Sequence, residues 1–343
     1  MMVIARALLC LLLLISTSFA ENAPAPADTK LLAVGDVMLG RYIAKVMQTN
    51  GSDYPFRQIA PVLRSADIVL GNLEGIMTPD DAAVAYPDKP YSFHAPIDAG
   101  TALKEAGFSV LSLANNHAMD YGSDALLRTR VLLNKQGIAS FGAGRDIADA
   151  RAPVIVTKNG TRFGFLGYGV AHARAVYAAK KRAGISPLVM ERVHADIVAL
   201  RIRVDIVIVS LHWGMEYDTV PSKLQREEAH QIIDWGADVI IGHHPHVMQG
   251  VELYKGRPIA YSLGNFVFDQ KRGGADWSAI LACTFRGKDL YLIEAIPLAR
   301  YRSYFPVVAE GKAKEQRMQE LKRLAAPLYG GANAVSLSGL NER

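Results

Sequence analysis

Three histidines lie within four positions of one short segment, residues 238–246 (DVIIGHHPH). The β-branched residues 239–241 precede them and predict a buried strand, which Gly242 is expected to break. His244 and His246 are two apart, so on an extended segment their rings share a side. Neutral imidazole is the commonest nitrogen ligand for zinc, iron, copper and nickel. The segment therefore predicts a metal site; the alternative is a solvated loop whose histidines cap neighbouring groups.

Similar polar residues follow other short apolar strands along the chain. One such loop would mean little, because Asn and Asp are common turn residues. Their repetition indicates a shared edge of a sheet, where α/β folds place reactive groups. The predicted strands and the residues that follow them are 31–34 with Asp36, 67–70 with Glu74, 109–113 with Asn116 and His117, and 205–211 with His212.

This mixture of oxygen and nitrogen donors suits Zn²⁺, Mn²⁺ or Fe, and the lack of thiolates argues against a structural zinc site. A bridging carboxylate with ligands on either side could hold two ions about 3.5–4 Å apart, a spacing used in phosphoryl and acyl hydrolysis. Such a pair lowers the pKa of a bound water to near 7. Metal-assisted hydrolysis is the chemistry that the pattern favours.

The elements that position these residues alternate between strand and helix in the first two-thirds of the chain, and hairpins dominate the last third. Asn159 and Gly160 mark one hairpin turn. The mixture predicts one α/β domain whose mixed sheets are covered by helices. Helices are predicted at residues 54–64, 101–106, 123–136, 189–201, 223–235 and 310–328.

The N-terminus has the pattern of a signal peptide at residues 1–20. Arg6 is basic, residues 7–15 are apolar, and residues 18–20 (SFA) fit a cleavage site. The apolar stretch is short for a membrane span, and a retained anchor is the alternative. Residues 21–29, rich in Ala and Pro, predict a flexible leader. The expected location is periplasmic or extracellular, or membrane-anchored if the signal is not cleaved.

The 343-residue chain has the composition of a globular domain, since half of its residues are apolar. Removal of the signal would take away Arg6 and lower the net charge from +5 to +4, a weak indication of an acidic partner. It would leave Cys283 as the only cysteine, so no intrachain disulfide is expected. The sequence contains nothing that resembles a nucleic-acid-binding module, and no nucleic-acid partner is expected.

Six motifs in order resemble the CapA family of capsule or poly-γ-glutamate synthesis proteins, over roughly residues 30–296. That family is similar to the calcineurin-like metallophosphoesterases. The resemblance implies an α/β, metallophosphatase-like four-layer sandwich, in which two mixed β-sheets pack face to face and helices flank them. The family domain is expected at residues 30–300, before a C-terminal helical extension at 301–343. The motifs are 35–41 (GDVMLGR), 71–74 (GNLE), 114–122 (ANNHAMDYG), 212–214 (HWG), 242–246 (GHHPH) and 262–266 (SLGNF).

The resemblance also implies roles for single residues. Asp36 would ligate one ion, Glu74 would replace a bridging Asp, and Asn116 would be the ligand Asn. His117 would contact the substrate or protonate its leaving group. Asp120, three residues later, could orient that imidazole or simply cap a turn. The three remaining metal ligands would be His212, His244 and His246.

Met38 departs from the metallophosphatase pattern, which usually has Asp-x-His in the first motif. A thioether is a poor ligand for hard divalent ions, so one metal position loses a donor. The site could be mono-metallic, bimetallic or catalytically silent.

Trp213 could stack on a ligand or pack in the core. The further neighbours of the cleft are predicted to be Arg41, His94, Trp213, His243 and Asn265.

Three functions are compatible with these residues. The first is an exported metal-dependent hydrolase, with one or two Mn, Zn or Fe ions, that uses metal-activated water on a phosphoester or on an anionic polymer such as poly-γ-glutamate. The second is a non-catalytic assembly or export factor that binds anionic polymer within a capsule synthesis complex at the membrane, and Met38 supports it. The third is a periplasmic ligand-binding protein without a link to capsule.

Overall fold

The computed structural model of the protein describes residues 27–79, 82, 89–171, 173–270, 273–302 and 304–329. The predicted signal peptide, residues 21–26 of the predicted leader and residues 330–343 lie outside the described residues. Within those ranges, no helix has both the length and the apolar composition that a membrane span requires.

Strands and helices alternate along the described part of the chain. The strands are β1 (Asp28–Val37), β2 (Ile68–Leu73), β3 (Ile76–Met77), β4 (His94–Ala95), β5 (Val110–Ser112), β6 (Ala139–Phe141), β7 (Ala143–Gly144), β8 (Val154–Lys158), β9 (Thr161–Gly169), β10 (Gly184–Ile185), β11 (Ile206–His212), β12 (Val239–His243), β13 (Val251–Tyr254), β14 (Arg257–Ala260), β15 (Asn265–Val267), β16 (Ser278–Arg286), β17 (Asp289–Tyr301) and β18 (Phe305–Val308). The α-helices are α1 (Arg41–Asn50), α2 (Ala60–Leu63), α3 (Ala99–Ala106), α4 (Gly122–Lys135), α5 (Ile147–Arg151), α6 (Met190–Arg201), α7 (Lys223–Asp234) and α8 (Gly311–Ala325). Short 3-10 helices lie at Tyr54–Phe56, Arg174–Val176 and Ala326–Tyr329.

Two large mixed sheets contain most of these strands. The first has the order β18-β17-β16-β1-β2-β5-β6, with β15 beside the end of β1, and the second has the order β13-β14-β12-β11-β9-β8. Strands β1, β2, β5 and β6 run parallel in the first sheet, and β9, β11, β12 and β14 run parallel in the second. The carboxyl ends of parallel strands share one edge, which is where open α/β sheets bind ligands.

Alternation of side chains along β1 shows how the layers pack. Leu31 and Ala33 belong to the core between the two sheets, whereas Leu32 and Val34 belong to the core under α1, α3 and α4. Successive residues of a strand point to opposite faces, so both faces of β1 are buried. A third core lies between the second sheet and helices α6 and α7. The result is helix, sheet, sheet, helix, which confirms the predicted four-layer fold.

The predicted helix at residues 54–64 is wrong. The chain there forms the 3-10 helix Tyr54–Phe56 and, after a turn, the short helix α2. Pro55 and Pro61 each lie in the first turn of one of these pieces. Proline lacks the N–H that a continuing helix needs and its ring clashes with the preceding turn, so Pro61 can begin a helix but cannot extend one.

The first sheet extends beyond residues 30–300 at both ends. Strand β1 begins at Asp28, which pairs with Arg286 of β16, so the end of the predicted leader belongs to the sheet. Strand β17 continues to Tyr301, and β18 adds an edge strand that the sequence did not predict. The C-terminal extension is therefore part of the first sheet before it becomes helical at α8.

Strand β12 was predicted to end at Gly242. In the structure it continues to His243. A Cβ atom on residue 242 would lie 1.9 Å from the carbonyl oxygen of Tyr261. Close approach of two backbones, rather than the end of a strand, therefore explains this glycine.

We expect Gly242→Ala to lower the free energy of unfolding by about 1–3 kcal/mol, as overpacking does. Urea unfolding measures it, with Gly273→Ala as the control because a Cβ there meets nothing within 4 Å. Equal stability of the Gly242→Ala variant and the wild type would contradict the prediction.

Candidate metal centre

Both large sheets end at a common edge, where the polar residues predicted from the sequence meet. Asp36 on β1 is in register with Asn72 on β2 and with Asn265 on β15. In the other sheet, β11 and β12 end side by side at His212 and His243. The side chains of this site therefore come from both sheets.

Asp36, Glu74 and His246 form one cluster of potential ligands. One ligand atom of each lies within 4.8 Å of the others, and all three residues are buried. Nε2 of His246 is 3.6 Å from Oε1 of Glu74, and Nδ1 of His246 is 3.4 Å from Oδ2 of Asp36. Only one nitrogen of the ring can ligate a given ion, and the separation of Nε2 from Oε1 of Glu74 is one that two ligand atoms about 2.0–2.2 Å from a shared ion would have. The cluster therefore fits a divalent cation.

The environment of Glu74 is the strongest sign of a bound cation. Glu74 is fully buried, and within the described residues neither of its carboxylate oxygens has a hydrogen-bond partner. Burial raises the pKa of Glu74 to about 8, opposed by the His246 imidazole and reinforced by the carboxylates of Asp36 and Glu216. Buried charges in proteins are paired or coordinate metals, because an uncompensated carboxylate is costly. A cation beside Glu74 would supply that compensation.

A second group of predicted ligands comprises Asn116, His212 and His244. Oδ1 of Asn116 is 3.0 Å from Nε2 of His212, and the ring centres of His212 and His244 are 4.6 Å apart. An amide oxygen and two imidazoles suit the same transition metals. The predicted ligands thus fall into two neighbouring groups. A bridging role of Glu74 between them stays a prediction.

Neighbouring polar groups orient the ligands. Oδ1 of Asn265 lies 2.9 Å from Nδ1 of His246, which leaves Nε2 of that ring beside Glu74. The side-chain amide of Asn72 donates to Oδ1 of Asp36 at 2.9 Å. Partners of this kind fix the ring orientation and raise the basicity of metal ligands. Asn265, predicted only as a neighbour of the cleft, is therefore a positioning residue for His246.

His246 binds a proton tightly in this environment. Its burial lowers its pKa, but the carboxylates of Glu74 and Asp36 outweigh burial and raise the pKa to about 9. An imidazole must be neutral to ligate a metal, so a cation that binds here displaces this proton. Metal affinity is consequently expected to fall as the pH is lowered.

His243 and Met38 belong to two of the six motifs. Within the described residues, neither of them lines the cleft. His243 is buried, and its Nδ1 is 3.3 Å from Oδ1 of Asp36. Met38 is also buried, and its sulfur accepts the backbone N–H of Gly40 at 3.0 Å. The structure thus gives His243 a direct contact with a predicted ligand, while the thioether of Met38 is engaged within its own loop.

His117, Asp120 and Lys89 form a hydrogen-bonded group next to the ligands. Nδ1 of His117 is 2.7 Å from Oδ2 of Asp120, and Nζ of Lys89 is 2.5 Å from the other oxygen. Burial lowers the pKa of His117 to about 4 although Asp120 opposes the shift, so the ring is neutral at pH 7. We assign its Nδ1–H to Asp120, because that contact is shorter than the 3.1 Å to Lys89. Nε2, 3.9 Å from Glu74, is then the reactive nitrogen.

A cavity of about 520 Å³ opens above these residues. Arg41 lies in its wall, stacks 4.7 Å from the ring centre of Phe93 and pairs with Asp269. The lining residues are Arg41, Tyr91, Phe93, His117, Glu216, Tyr217, His246, Asp269 and Gln270.

Two predicted neighbours of the cleft contact other residues. Trp213 is 1% exposed, donates its indole N–H to the Tyr261 carbonyl at 3.1 Å and stacks on the Tyr261 ring, so it packs in the core. His94 has its Nδ1 3.0 Å from the Tyr121 hydroxyl and, within the described residues, does not line the cavity. Trp213 thus follows the packing alternative, and a role of His94 at the cleft stays a prediction.

The sequence did not identify Asn72, Asn115, Lys89, Phe93 or Glu216 as parts of the site. Asn115 donates to Oδ1 of Asn72 at 3.0 Å, and Phe93 stacks on the His117 ring at 3.8 Å. Asn72, Asn115 and Phe93 adjoin predicted site residues, and Glu216 follows the 212–214 motif at a distance of two residues. Lys89 lies in a segment without a motif, and no signal in the sequence points to it.

Several proteins of known structure share the fold of this chain at low sequence identity. A hypothetical protein from Thermus thermophilus aligns with a TM-score of 0.50 and 15% identity, covering 80% of this chain and 100% of that chain. A putative 5'-nucleotidase from Staphylococcus aureus, solved in complex with alpha-ketoglutarate, aligns with a TM-score of 0.50 and 13% identity, covering 87% and 58%. The chain therefore has a metallophosphatase fold.

Relatives with higher sequence identity identify the family. The capsule biosynthesis protein CapA of Bacillus anthracis is 34% identical over 299 residues, which is 83% of this chain and 73% of that protein. The PGA biosynthesis protein CapA of Bacillus subtilis (strain 168) is 40% identical over 238 residues, which is 69% and 62%. The family described as bacterial capsule synthesis protein PGA_cap matches residues 30–270. With most of its length covered and the ordered motifs in place, the chain belongs to this family.

Proposed function

We propose that this protein is an exported, metal-dependent hydrolase in the synthesis or processing of a capsule or poly-γ-glutamate polymer. The observation that carries the proposal is the buried Glu74 carboxylate, which lies beside the imidazoles of His117 and His246 and has no hydrogen-bond partner in the described part of the chain. The link to a polymer rests on two relatives named for capsule and PGA biosynthesis. Metal site and family together support the proposal.

One or two divalent ions, Mn, Zn or Fe, fit the donors that converge at this edge. When bound, such ions lower the pKa of water to near 7 and stabilise negative charge that develops on the substrate. The protein contributes ligands of fixed orientation and a cavity that opens on them. The residues that would hold the ions are Asp36, Glu74, Asn116, His212, His244 and His246.

His117 is the proposed general acid. Asp120 fixes the ring by accepting its Nδ1–H, which leaves Nε2 for proton transfer in a side chain that lines the cavity. The free ring is neutral at pH 7, but an anionic substrate in the cavity raises its pKa, because an adjacent negative charge favours the imidazolium. The proton taken up with the substrate is then available for the leaving group.

Arg41 in the wall of the cavity could contact an anionic substrate, either a phosphoester or a polymer that bears carboxylates. The guanidinium of Arg41 is held by Asp269 and by the Phe93 ring, with its side chain one-third exposed. Arginine binds carboxylate and phosphate through a planar fork of N–H donors. We further propose that the protein works with a capsule synthesis or export complex at the membrane.

Metal-dependent turnover by the purified protein tests the proposal. We expect release of p-nitrophenolate from bis(p-nitrophenyl) phosphate, or of p-nitroaniline from its γ-glutamyl amide, in the presence of Mn²⁺. Chelation should abolish the activity, and added Mn²⁺ should restore it. Bound metal without turnover of either substrate would contradict hydrolysis.

That contrary result would favour the second candidate, a non-catalytic factor that holds anionic polymer in the same cleft. The observation behind this candidate is Met38, whose buried sulfur stands where metallophosphatases usually have a histidine. A site with one donor fewer can keep a cation for binding and lack the arrangement for catalysis.

Export can be tested separately from the reaction. The charged, apolar and small-residue regions of the first twenty positions predict a mature chain that begins near Glu21. N-terminal sequencing of the protein recovered from a periplasmic or secreted fraction measures this directly. Recovery of intact Met1 in the membrane fraction would instead indicate an uncleaved anchor.

A further inference from the structure

Glu216 lies outside the six motifs, yet its carboxylate meets two histidines of the ligand loop. One oxygen of Glu216 and one nitrogen each of His244 and His246 lie within 4.8 Å of one another. Glu216 is exposed, lines the cavity and is therefore open to solvent. A carboxylate and two imidazoles with an open side are a ligand set used by catalytic zinc sites.

We propose that Glu216 is a metal ligand that forms, with His244 and His246, a cation position at the mouth of the cleft. The proposal rests on the metal-dependent function above and adds a donor that the family motifs do not include. Glu216 would add a donor to a site in which Met38 stands where metallophosphatases usually have a histidine.

Backbone hydrogen bonds clamp the turn that carries Glu216 onto the histidine loop. The N–H of Trp213 donates to the carbonyl of His243 at 3.1 Å, and the N–H of Tyr217 donates to the carbonyl of Pro245 at 2.8 Å. Glu216 lies between these two contacts. The turn therefore cannot move away from the histidines without breaking both bonds, and the carboxylate is kept near them.

A chain of side chains ties the same turn to the ring of His246. The Tyr217 hydroxyl accepts a hydrogen bond from the Gln270 amide, whose oxygen accepts from the Asn265 amide at 3.1 Å. Oδ1 of Asn265 in turn lies 2.9 Å from Nδ1 of His246. Ligand sites hold their geometry through such supporting contacts. Glu216 and His246 are thus positioned by one connected network.

The carboxylates at the cleft also favour a bound cation. The carboxylates of Asp36 and Glu74 form a cluster with His246, and Glu216 approaches the same imidazole from the exposed side. Three ionised carboxylates around one ring repel one another, and a bound cation would offset that repulsion in place of the protons that the metal-free site holds. His246 belongs to both clusters and Asn265 contacts its Nδ1, so its Nε2 can ligate a cation at only one of the two positions at a time.

Mn²⁺ titration of the full chain by calorimetry tests the proposal. Glu216→Gln removes the negative charge and keeps the shape, and we expect at least one Mn²⁺ equivalent to bind about tenfold more weakly or worse, since even a lost supporting contact costs about 10–100-fold. Visible absorption of the Co²⁺-loaded protein should change as well, because it responds to the ligand set. Asp218→Asn is the matched control: Asp218 is exposed in the same turn and belongs to neither ligand cluster of the described residues.

The outcomes separate this proposal from the proposed function. Weaker binding and an altered Co²⁺ spectrum in Glu216→Gln, with Asp218→Asn unchanged, support Glu216 as a ligand. Identical isotherms and spectra for wild type and Glu216→Gln overturn this proposal alone, because the wild type still binds metal. A wild type that binds no Mn²⁺ or Co²⁺ overturns the metal-dependent function together with it.

Discussion

Replacement of His246 by alanine is expected to remove at least one equivalent of bound divalent metal. His246 is the imidazole shared by both ligand clusters, and Asn265 holds its ring so that Nε2 lies beside Glu74. Loss of a supporting contact alone lowers metal affinity about 10–100-fold, and loss of the ligand itself should cost no less. Elemental analysis of the purified protein and Mn²⁺ titration give the stoichiometry and the affinity.

The matched control for this experiment is His230→Ala. His230 contacts Glu252 at 3.0 Å and stacks on Tyr254, and it belongs to neither ligand cluster of the described residues. It should keep the full metal content. The double variant of His244 and His246 is the decisive case, since retention of all bound metal by that folded protein would rule out a metal site at this loop.

Replacement of His117 by alanine is expected to slow turnover by about 10²–10⁴-fold with an ordinary leaving group, which is the usual contribution of general acid catalysis. The loss should shrink for p-nitrophenolate, because that leaving group needs little protonation. The metal content should stay the same if His117 is an acid rather than a ligand. Rates on both kinds of substrate and elemental analysis of the same samples measure these effects.

The control for His117 is His94→Ala, which removes a nearby imidazole that contacts the Tyr121 hydroxyl. This variant should keep most of its activity. Loss of metal from His117→Ala would make His117 a ligand instead, and unchanged rates on every hydrolysed substrate would remove it from the mechanism.

The positions of the site residues could be predicted from the sequence because local patterns encode them. Asp36 lies at the end of β1 and Asn116 follows β5 in the first sheet, whereas His212 ends β11 of the second sheet, and parallel strands bring such ends to the edge of each sheet. The contact of Asp120 with His117 was also foreseen as one of two alternatives, because three residues separate them in a short turn. Most of the predicted site residues were therefore found from the predicted ends of strands.

The rest depends on contacts between distant segments. Lys89 reaches His117 from 28 positions away, and nothing in its neighbours predicts that contact. Whether Trp213 would stack on a ligand or pack in the core is decided by Tyr261, 48 residues later. Strand β18 exists because β17 offers it an edge, not because its own four residues demand a strand.

The predicted ligands come from two sheets, so a bound cation would affect the resistance of the protein to proteolysis. A cation held by Asp36 and Glu74 on one sheet and by His246 after the other acts as a non-covalent cross-link across the sandwich. Above the Kd, each tenfold rise in free metal adds about 1.4 kcal/mol to the stability of the folded chain. If the protein binds such a cation, metal starvation would therefore make the chain more sensitive to proteases.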